Sequence, residues 1–201
     1  MESESDMDGI LAEKARLRER LRFRRHHFTA NLDGMAALTA FRTLPAPLYD
    51  VINSGDPIVS AYAATNGEPD ILPLMREFVP LGRLAMPFHA ARDEHMSFRL
   101  WNIGDALEKG PWRTPQPSPD STATTPDILL CPLLGFDRSG GRLGQGGGHY
   151  DRYFAKNPNA LRIGIAWSIQ EVDQIACEST DMRLDAILTE QEYIDCGERT
   201  T

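Results

Sequence analysis

Short apolar runs recur along the chain, each bounded by turn-forming residues. IVSAYAA (58–64), LAMPF (84–88), SFRLW (97–101), DILLCPLLGF (127–136), LRIGIAW (161–167) and LDAILTE (184–190) read as strands. DILLCPLLGF is the most uniformly apolar, as a strand covered on both faces must be. Between these runs the spacing becomes helical. Leu11, Leu17, Leu21 and Phe28 predict a helix over 10–31. A short helix is expected near 33–43, broken by Pro45 and Pro47. DILPLMREFVPLG (70–82) and HYDRYFAKN (149–157) predict two more. Residues 103–126 are rich in Pro, Ser and Thr and predict a long surface loop. Strands alternating with helices imply a mostly parallel sheet with helices on both faces. No internal repeat is present, and 201 residues suit a single domain, with residues 1–9 expected to be a disordered tail.

Composition narrows the class. Hydrophobic content of 41% and charged content of 25% are ordinary for a folded soluble domain. A formal net charge of −8 argues against nucleic-acid binding. Cys131, Cys177 and Cys196 show no CxxC spacing, which excludes a disulfide framework or a zinc knuckle and fits a reducing compartment. No apolar run is long enough to span a bilayer, and the expected location is cytoplasmic. His26, His27, His89 and His95 lack metal-ligand spacing and are expected to be surface or satisfied residues, while Cys131 belongs to the core.

Two stretches carry candidate chemistry. The helix over 10–31 is dense in cations, with Lys14 and Arg18 one turn apart on one face. Spacing alone favours a solvated face there over an anion site. The second stretch is GGRLGQGGGHYDRY (140–153), placed between a strand and a helix. In α/β sheets ligands bind beyond the carboxyl ends of the strands. Glycines let a ligand approach bare backbone, whose N–H groups can point at an anion together with a helix N-terminus. Arg142 adds a forked donor for phosphate oxygens, and Asp151 an oxygen ligand for a magnesium ion. A ligand-free glycine hairpin, with Asp151 serving only the first turn of the helix, is the structural alternative. No GxxxxGK[ST] loop is present.

With its flanks the second stretch becomes specific. PLLGFDRSGGRLGQGGGHYDRYF resembles the signature PGxxFDxxGxRLGxGxGYYDR of the 5-formyltetrahydrofolate cyclo-ligase (5,10-methenyltetrahydrofolate synthetase) family. KARLRERLRFRR (14–25), YAATNGEPD (62–70), GPWRTPQP (110–117), IGIAWSIQEVD (163–173) and DMRLDAILTE (181–190) resemble further family segments, whereas 28–57 matches poorly. The resemblance implies a three-layer α/β/α sandwich around a mostly parallel sheet, Rossmann-like (NagB/RpiA-like). It implies conversion of ATP and 5-formyltetrahydrofolate to 5,10-methenyltetrahydrofolate, ADP and phosphate with Mg²⁺, by a cytoplasmic monomer needing neither nucleic acid nor membrane. A nucleotide- and folate-binding relative with a regulatory role and little turnover is the alternative.

The resemblance also implies roles for residues. Lys14, Arg18 and the loop Arg142, Leu143, Gly144, Gln145, Gly146, Gly147, Gly148, His149 and Tyr150 would bind ATP. Ala63, Glu68 and Trp112, with Gln145, Gly146, Gly147, Gly148 and His149, would line the folate site. Asp151 and Asp181 would hold Mg²⁺, with Arg142 and Asp151 catalytic. Two departures stand out: His149 replaces the first tyrosine of the family motif, and Gln145 and Gly147 occupy positions that are basic in some members.

Overall fold

A computed structural model of the chain describes residues 4–178 and 180–197. The elements are, in order, α1 (Glu4–Ala30), α2 (Gly34–Thr39), α3 (Ala46–Ile52), β1 (Val59–Ser60), α4 (Leu72–Phe78), β2 (Leu84–Phe88) and β3 (Ser97–Leu100). Then come β4 (Glu108–Lys109), β5 (Pro115–Gln116), β6 (Ala123–Thr124), β7 (Ile128–Pro132), β8 (Gly135–Phe136) and β9 (Arg142–Leu143). The chain closes with α5 (His149–Lys156), β10 (Leu161–Ile165), a 3₁₀ turn at Ser168–Gln170, β11 (Ala186–Leu188) and β12 (Tyr193–Asp195).

Eight strands form one sheet in the order β12-β11-β10-β7-β1-β2-β3-β6. The strands from β11 to β2 run parallel, while β12, β3 and β6 pair antiparallel at the two edges. Alternation along the central strand builds the layers. Ile128 and Leu130 join a core cluster with Leu48 and Ile52 of α3 and Leu74 and Met75 of α4. Leu129 and Cys131 join a second cluster with Tyr153 and Phe154 of α5. Helices therefore cover both faces, which is the expected α/β/α sandwich. Burial pushes the Cys131 thiol up to about 12, in keeping with a core residue.

Several details correct the sequence reading. Helix α1 starts at Glu4, inside the stretch expected to be a disordered tail. Pro45 and Pro47 do not merely end a helix: Pro45 caps α3 and Pro47 sits in its first turn, where the missing N–H costs nothing. The loop over 103–126 contains the hairpin β4–β5 and the edge strand β6. The run 127–136 is broken after Pro132, and its last two residues turn away to pair with β9.

Helix α1 also departs from a simple amphipathic pattern. Leu21 is fully buried, but so are Lys14 and Arg25, while Leu11 is exposed. The helix lies across the carboxyl ends of the parallel strands. Arg25 donates to the Leu133 carbonyl just after β7 (3.3 Å), and Phe28 packs on Trp167 just after β10 (5.4 Å). Its inner face meets a cavity there, and Lys14 and Arg18 of that face line it.

Candidate functional site

The cavity beyond the strand ends has a volume of about 1010 Å³. Small-molecule sites span roughly 300–1,000 Å³, so this one has room for more than one small ligand. Its walls are α1, the loop after β1, the β4–β5 hairpin, the glycine stretch and the segment before β11. Every site residue expected from the sequence lines it. Lys14 and Arg18 enter from α1, Ala63 and Glu68 from the β1–α4 loop, and Trp112 from the hairpin. The stretch from Arg142 to Asp151 contributes without a gap, and Asp181 joins it from the segment before β11.

The glycine stretch is a built loop. Strands β8 and β9 form a short hairpin whose turn is held by Asp137. Asp137 Oδ1 accepts from Ser139 N (2.9 Å), Ser139 Oγ (2.6 Å) and Gly141 N (3.0 Å), while Oδ2 accepts from Ile175 N (2.9 Å). A Cβ at Gly141 would strike that carboxylate. The loop then reaches Gly148, which caps α5 at φ +62, a conformation that disfavours side chains. Arg18 Nε donates to the Gly144 carbonyl (3.0 Å) and Arg22 Nε to Gln145 Oε1 (3.0 Å), so α1 clamps the loop from outside.

Burial alone would raise the Asp137 carboxyl, but the hydrogen bonds from Ser139, Ile175 and Gly141 outweigh it and hold the group below the ordinary aspartate value of 3.8. A depressed carboxyl contributes stability that is complete above its unfolded pKa and is lost as pH falls through the folded one. Asp137→Asn will therefore lower the thermal midpoint at neutral pH, through a loss of about 1.5–3 kcal/mol typical of a charged hydrogen-bond acceptor. The difference from wild type will shrink as pH drops below 3.8. Thermal unfolding monitored between pH 3 and pH 7 checks both points.

Opposite charges pair directly on the cavity wall. Arg142, with only 4% of its side chain exposed, donates through Nη2 to Asp151 Oδ1 (2.7 Å). Burial would lower the guanidinium, but Asp151 outweighs it and its pKa rises. Arg142 Nε is buried without a hydrogen-bond partner among the described residues, an unspent donor at the cavity wall. Lys14 Nζ, 3% exposed, donates to Glu178 Oε1 (2.7 Å) and to Asp181 Oδ2. Here too burial would lower the ammonium, and the bonds to Asp181 and Glu178 raise it instead. Two of the three cations expected to meet phosphate, Arg142 and Lys14, are thus paired with the two carboxylates expected to meet metal.

The donors fit a divalent cation. The recorded bonds of Asp151 engage Oδ1, which also accepts from Met182 N (3.3 Å), and those of Asp181 engage Oδ2. Each carboxylate keeps one oxygen free among the described residues. No cluster of three or more His, Cys, Asp or Glu side chains is present among them. A hard ion that binds one or two carboxylates and completes its shell with phosphate and water, as Mg²⁺ does, suits such a pair.

Across the cavity, Glu68 Oε2 accepts from Thr65 N (3.0 Å) and Thr65 Oγ1 (3.1 Å). Its Oε1 lies 3.8 Å from Arg25, an ion pair beyond hydrogen-bond length. Burial raises the carboxyl, and Thr65 and Arg25 only partly offset it. One acceptor oxygen thus faces the cavity in a setting suited to N–H donors.

His89 corrects the sequence reading. It is buried, lines the cavity, and its Nδ1 has no partner among the described residues. Its backbone is gripped on both sides by Gln116, which accepts from His89 N (3.2 Å) and donates to His89 O (3.1 Å). His149 packs edge-on against His89 (4.6 Å between centroids) and Trp112 (5.5 Å). Burial lowers both imidazoles, helped at His89 by His149 and at His149 by Arg152. Both shifts favour the neutral form of the ring. His26, His27 and His95 are exposed, as expected. Position signalled His89: it directly follows β2, at the carboxyl end of a parallel strand. Glu178 was also missed, because nothing in its local sequence marks it as the partner of a lysine on α1.

No helix among the described residues is long and apolar enough to cross a membrane. Comparison with known proteins gives the site its context. Residues 10–190 match the model of the 5-formyltetrahydrofolate cyclo-ligase family. The 5-formyltetrahydrofolate cyclo-ligase of Haemophilus influenzae is 42% identical over 64 residues, covering 31% of this chain and 34% of that protein. That of Mycolicibacterium smegmatis is 32% identical over 142 residues, covering 65% of this chain and 72% of that protein. In fold, the solution structure of Aquifex aeolicus 5,10-methenyltetrahydrofolate synthetase superposes with a TM-score of 0.71 at 21% identity, over 94% of this chain and 95% of that one. The family match runs from α1 to the end of β11 and takes in every wall of the cavity: this chain belongs to the 5-formyltetrahydrofolate cyclo-ligase family.

Proposed function

We propose that this protein converts 5-formyltetrahydrofolate to 5,10-methenyltetrahydrofolate, using ATP and Mg²⁺, as a single cytoplasmic domain acting as a monomer. Family membership supports the reaction class. The observation that carries the reading is a single cavity in which Lys14, Arg18 and Arg142 face Glu68 across the glycine loop. Such a cavity brings a polyphosphate and a pterin together over bare backbone.

The formyl group on N5 is amide-like, and its oxygen is a poor leaving group. In the proposed reaction that oxygen attacks the γ-phosphorus of ATP, and the bond to ADP breaks. The carbon then carries a phosphate ester on an iminium. The N10 lone pair attacks this carbon, the carbon–oxygen bond breaks, and phosphate departs with the former formyl oxygen. Loss of the N10 proton leaves the cyclic methenyl cation. Little of this needs covalent help from the protein; positioning and charge stabilisation dominate phosphoryl transfer.

Each residue has a task in that scheme. Arg142 would offer the rest of its fork to phosphate oxygens, and Lys14 a third proton beyond the two it already shares. Arg18 holds the loop carbonyl of Gly144 and lies beside the phosphates. Asp151 and Asp181 would hold Mg²⁺, which neutralises β- and γ-phosphate charge when bound. Glu68 receives pterin N–H groups at its free oxygen. Trp112, resting on His149, covers the folate side and limits water, which would hydrolyse the methenyl product.

Mixing the protein with 5-formyltetrahydrofolate, ATP and Mg²⁺ will give the near-ultraviolet absorbance of the methenyl product. No absorbance change at high protein concentration would refute the reading. Arg18→Ala separates the two subsites. Loss of a charge-assisted contact of about 1.5–3 kcal/mol will raise the KM for ATP roughly 10- to 100-fold and leave the folate KM nearly unchanged. Equal effects on both KM values would argue against a phosphate contact.

A further inference from the structure

We infer that Glu178 is a positioning residue, the standing counter-charge of Lys14 that frees Asp181 to serve a divalent cation. The inference rests on the metal role proposed above for Asp181.

Lys14 is almost completely buried, and its ammonium is shared between two carboxylates on the segment that precedes β11. A buried charge stripped of its partner is strongly unfavourable. Were Asp181 the only partner, a cation at its free oxygen would draw on the single negative charge that balances Lys14, and the lysine would compete with the metal for the same carboxylate. Glu178 removes that conflict. Its Oε1 stands 2.7 Å from Nζ, so the ammonium keeps one full counter-charge when Asp181 turns away.

The segment is built for this division of labour. Ile175 N is tied to Asp137 Oδ2 (2.9 Å) and Met182 N to Asp151 Oδ1 (3.3 Å). Between these anchors, Asp181 N donates to the Glu178 carbonyl (3.0 Å) and Glu178 N to Asp181 Oδ2 (2.8 Å), a turn that presents both carboxylates to Lys14. Glu178 lines the cavity and its side chain is 31% exposed, so it is not a core residue whose loss would empty a packed space.

The test reads the metal directly. Mn²⁺ binding is followed by the loss of the free-ion electron paramagnetic resonance signal on mixing the ion with the protein alone, without nucleotide, which would itself chelate the ion. Glu178→Gln will weaken Mn²⁺ binding about tenfold, because Lys14 then holds Asp181. Adding Lys14→Met to Glu178→Gln will restore it to near the wild-type value, because nothing competes for the carboxylate. Unchanged or tighter Mn²⁺ binding in Glu178→Gln overturns the inference. So does a loss that the double variant fails to restore, which would mark general damage to the site. Asp181→Asn separates this from the wider reading. If it binds Mn²⁺ as wild type does, the metal role of Asp181 fails and the inference with it. If it loses Mn²⁺ while Glu178→Gln does not, only the inference about Glu178 fails.

Discussion

Asp151→Asn will lower kcat by about 10²- to 10³-fold, the range seen when one preorganised electrostatic contact to a transition state is removed. The substitution keeps the shape of the side chain and an Oδ1 acceptor for Arg142 and Met182. What it removes is charge. The proposed metal site loses one of two anionic ligands, and Arg142 loses the carboxylate that offsets its burial. The fold will also lose stability, because Arg142 stays buried without its full counter-charge. Asp151 sits in the first turn of α5, where its interaction with the helix dipole contributes about 0.3–1 kcal/mol. Steady-state kinetics with a thermal melt check both parts. Near-normal turnover would remove Asp151 from any metal or phosphoryl-transfer role.

The second large effect is expected at Arg142→Lys. Charge is conserved, yet the geometry is not. The guanidinium can serve two partners at once: Nη2 binds Asp151 at 2.7 Å, and the rest of the fork would be left for a phosphate. A lysine ammonium is one point and serves one of them. Its stem also cannot reproduce the flat contact near the Tyr150 and Phe154 rings, which lie 5.8 Å and 5.7 Å from the guanidinium carbon. A fall of about 10²-fold in kcat/KM for ATP is expected, comparable to loss of one preorganised donor. A KM-only effect, with kcat intact, would mean that Arg142 binds nucleotide without stabilising the transfer.

The central strands and the glycine signature were legible in the sequence because each is encoded locally. DILLCP is apolar on both faces because α5 covers one and α3 and α4 cover the other. The signature stretch shows its glycines and its Asp151 in a single window. What escaped notice depends on distant partners. The strand read at 58–64 is present but only two residues long, because its pairing with β2 and β7 on either side sets its extent. The β4–β5 hairpin lies within a Pro- and Ser-rich stretch and is pinned by Gln116 gripping the His89 backbone. His89 itself looked like one more surface histidine until β2 placed it at the cavity wall. Helix α1 hid its role for the opposite reason. Its buried face carries Lys14 and Arg25 among leucines, so hydrophobic periodicity alone describes a solvated helix. Only the carboxylates of Glu68, Glu178 and Asp181, all far away in sequence, turn that face into part of a site.

The account stands or falls on where the formyl oxygen goes. With 5-formyltetrahydrofolate labelled with ¹⁸O at the formyl group, the phosphate released in a single turnover will carry the label, one atom per methenyltetrahydrofolate formed. Unlabelled phosphate, with the heavy oxygen recovered in water, would contradict transfer of the γ-phosphoryl group to the formyl oxygen.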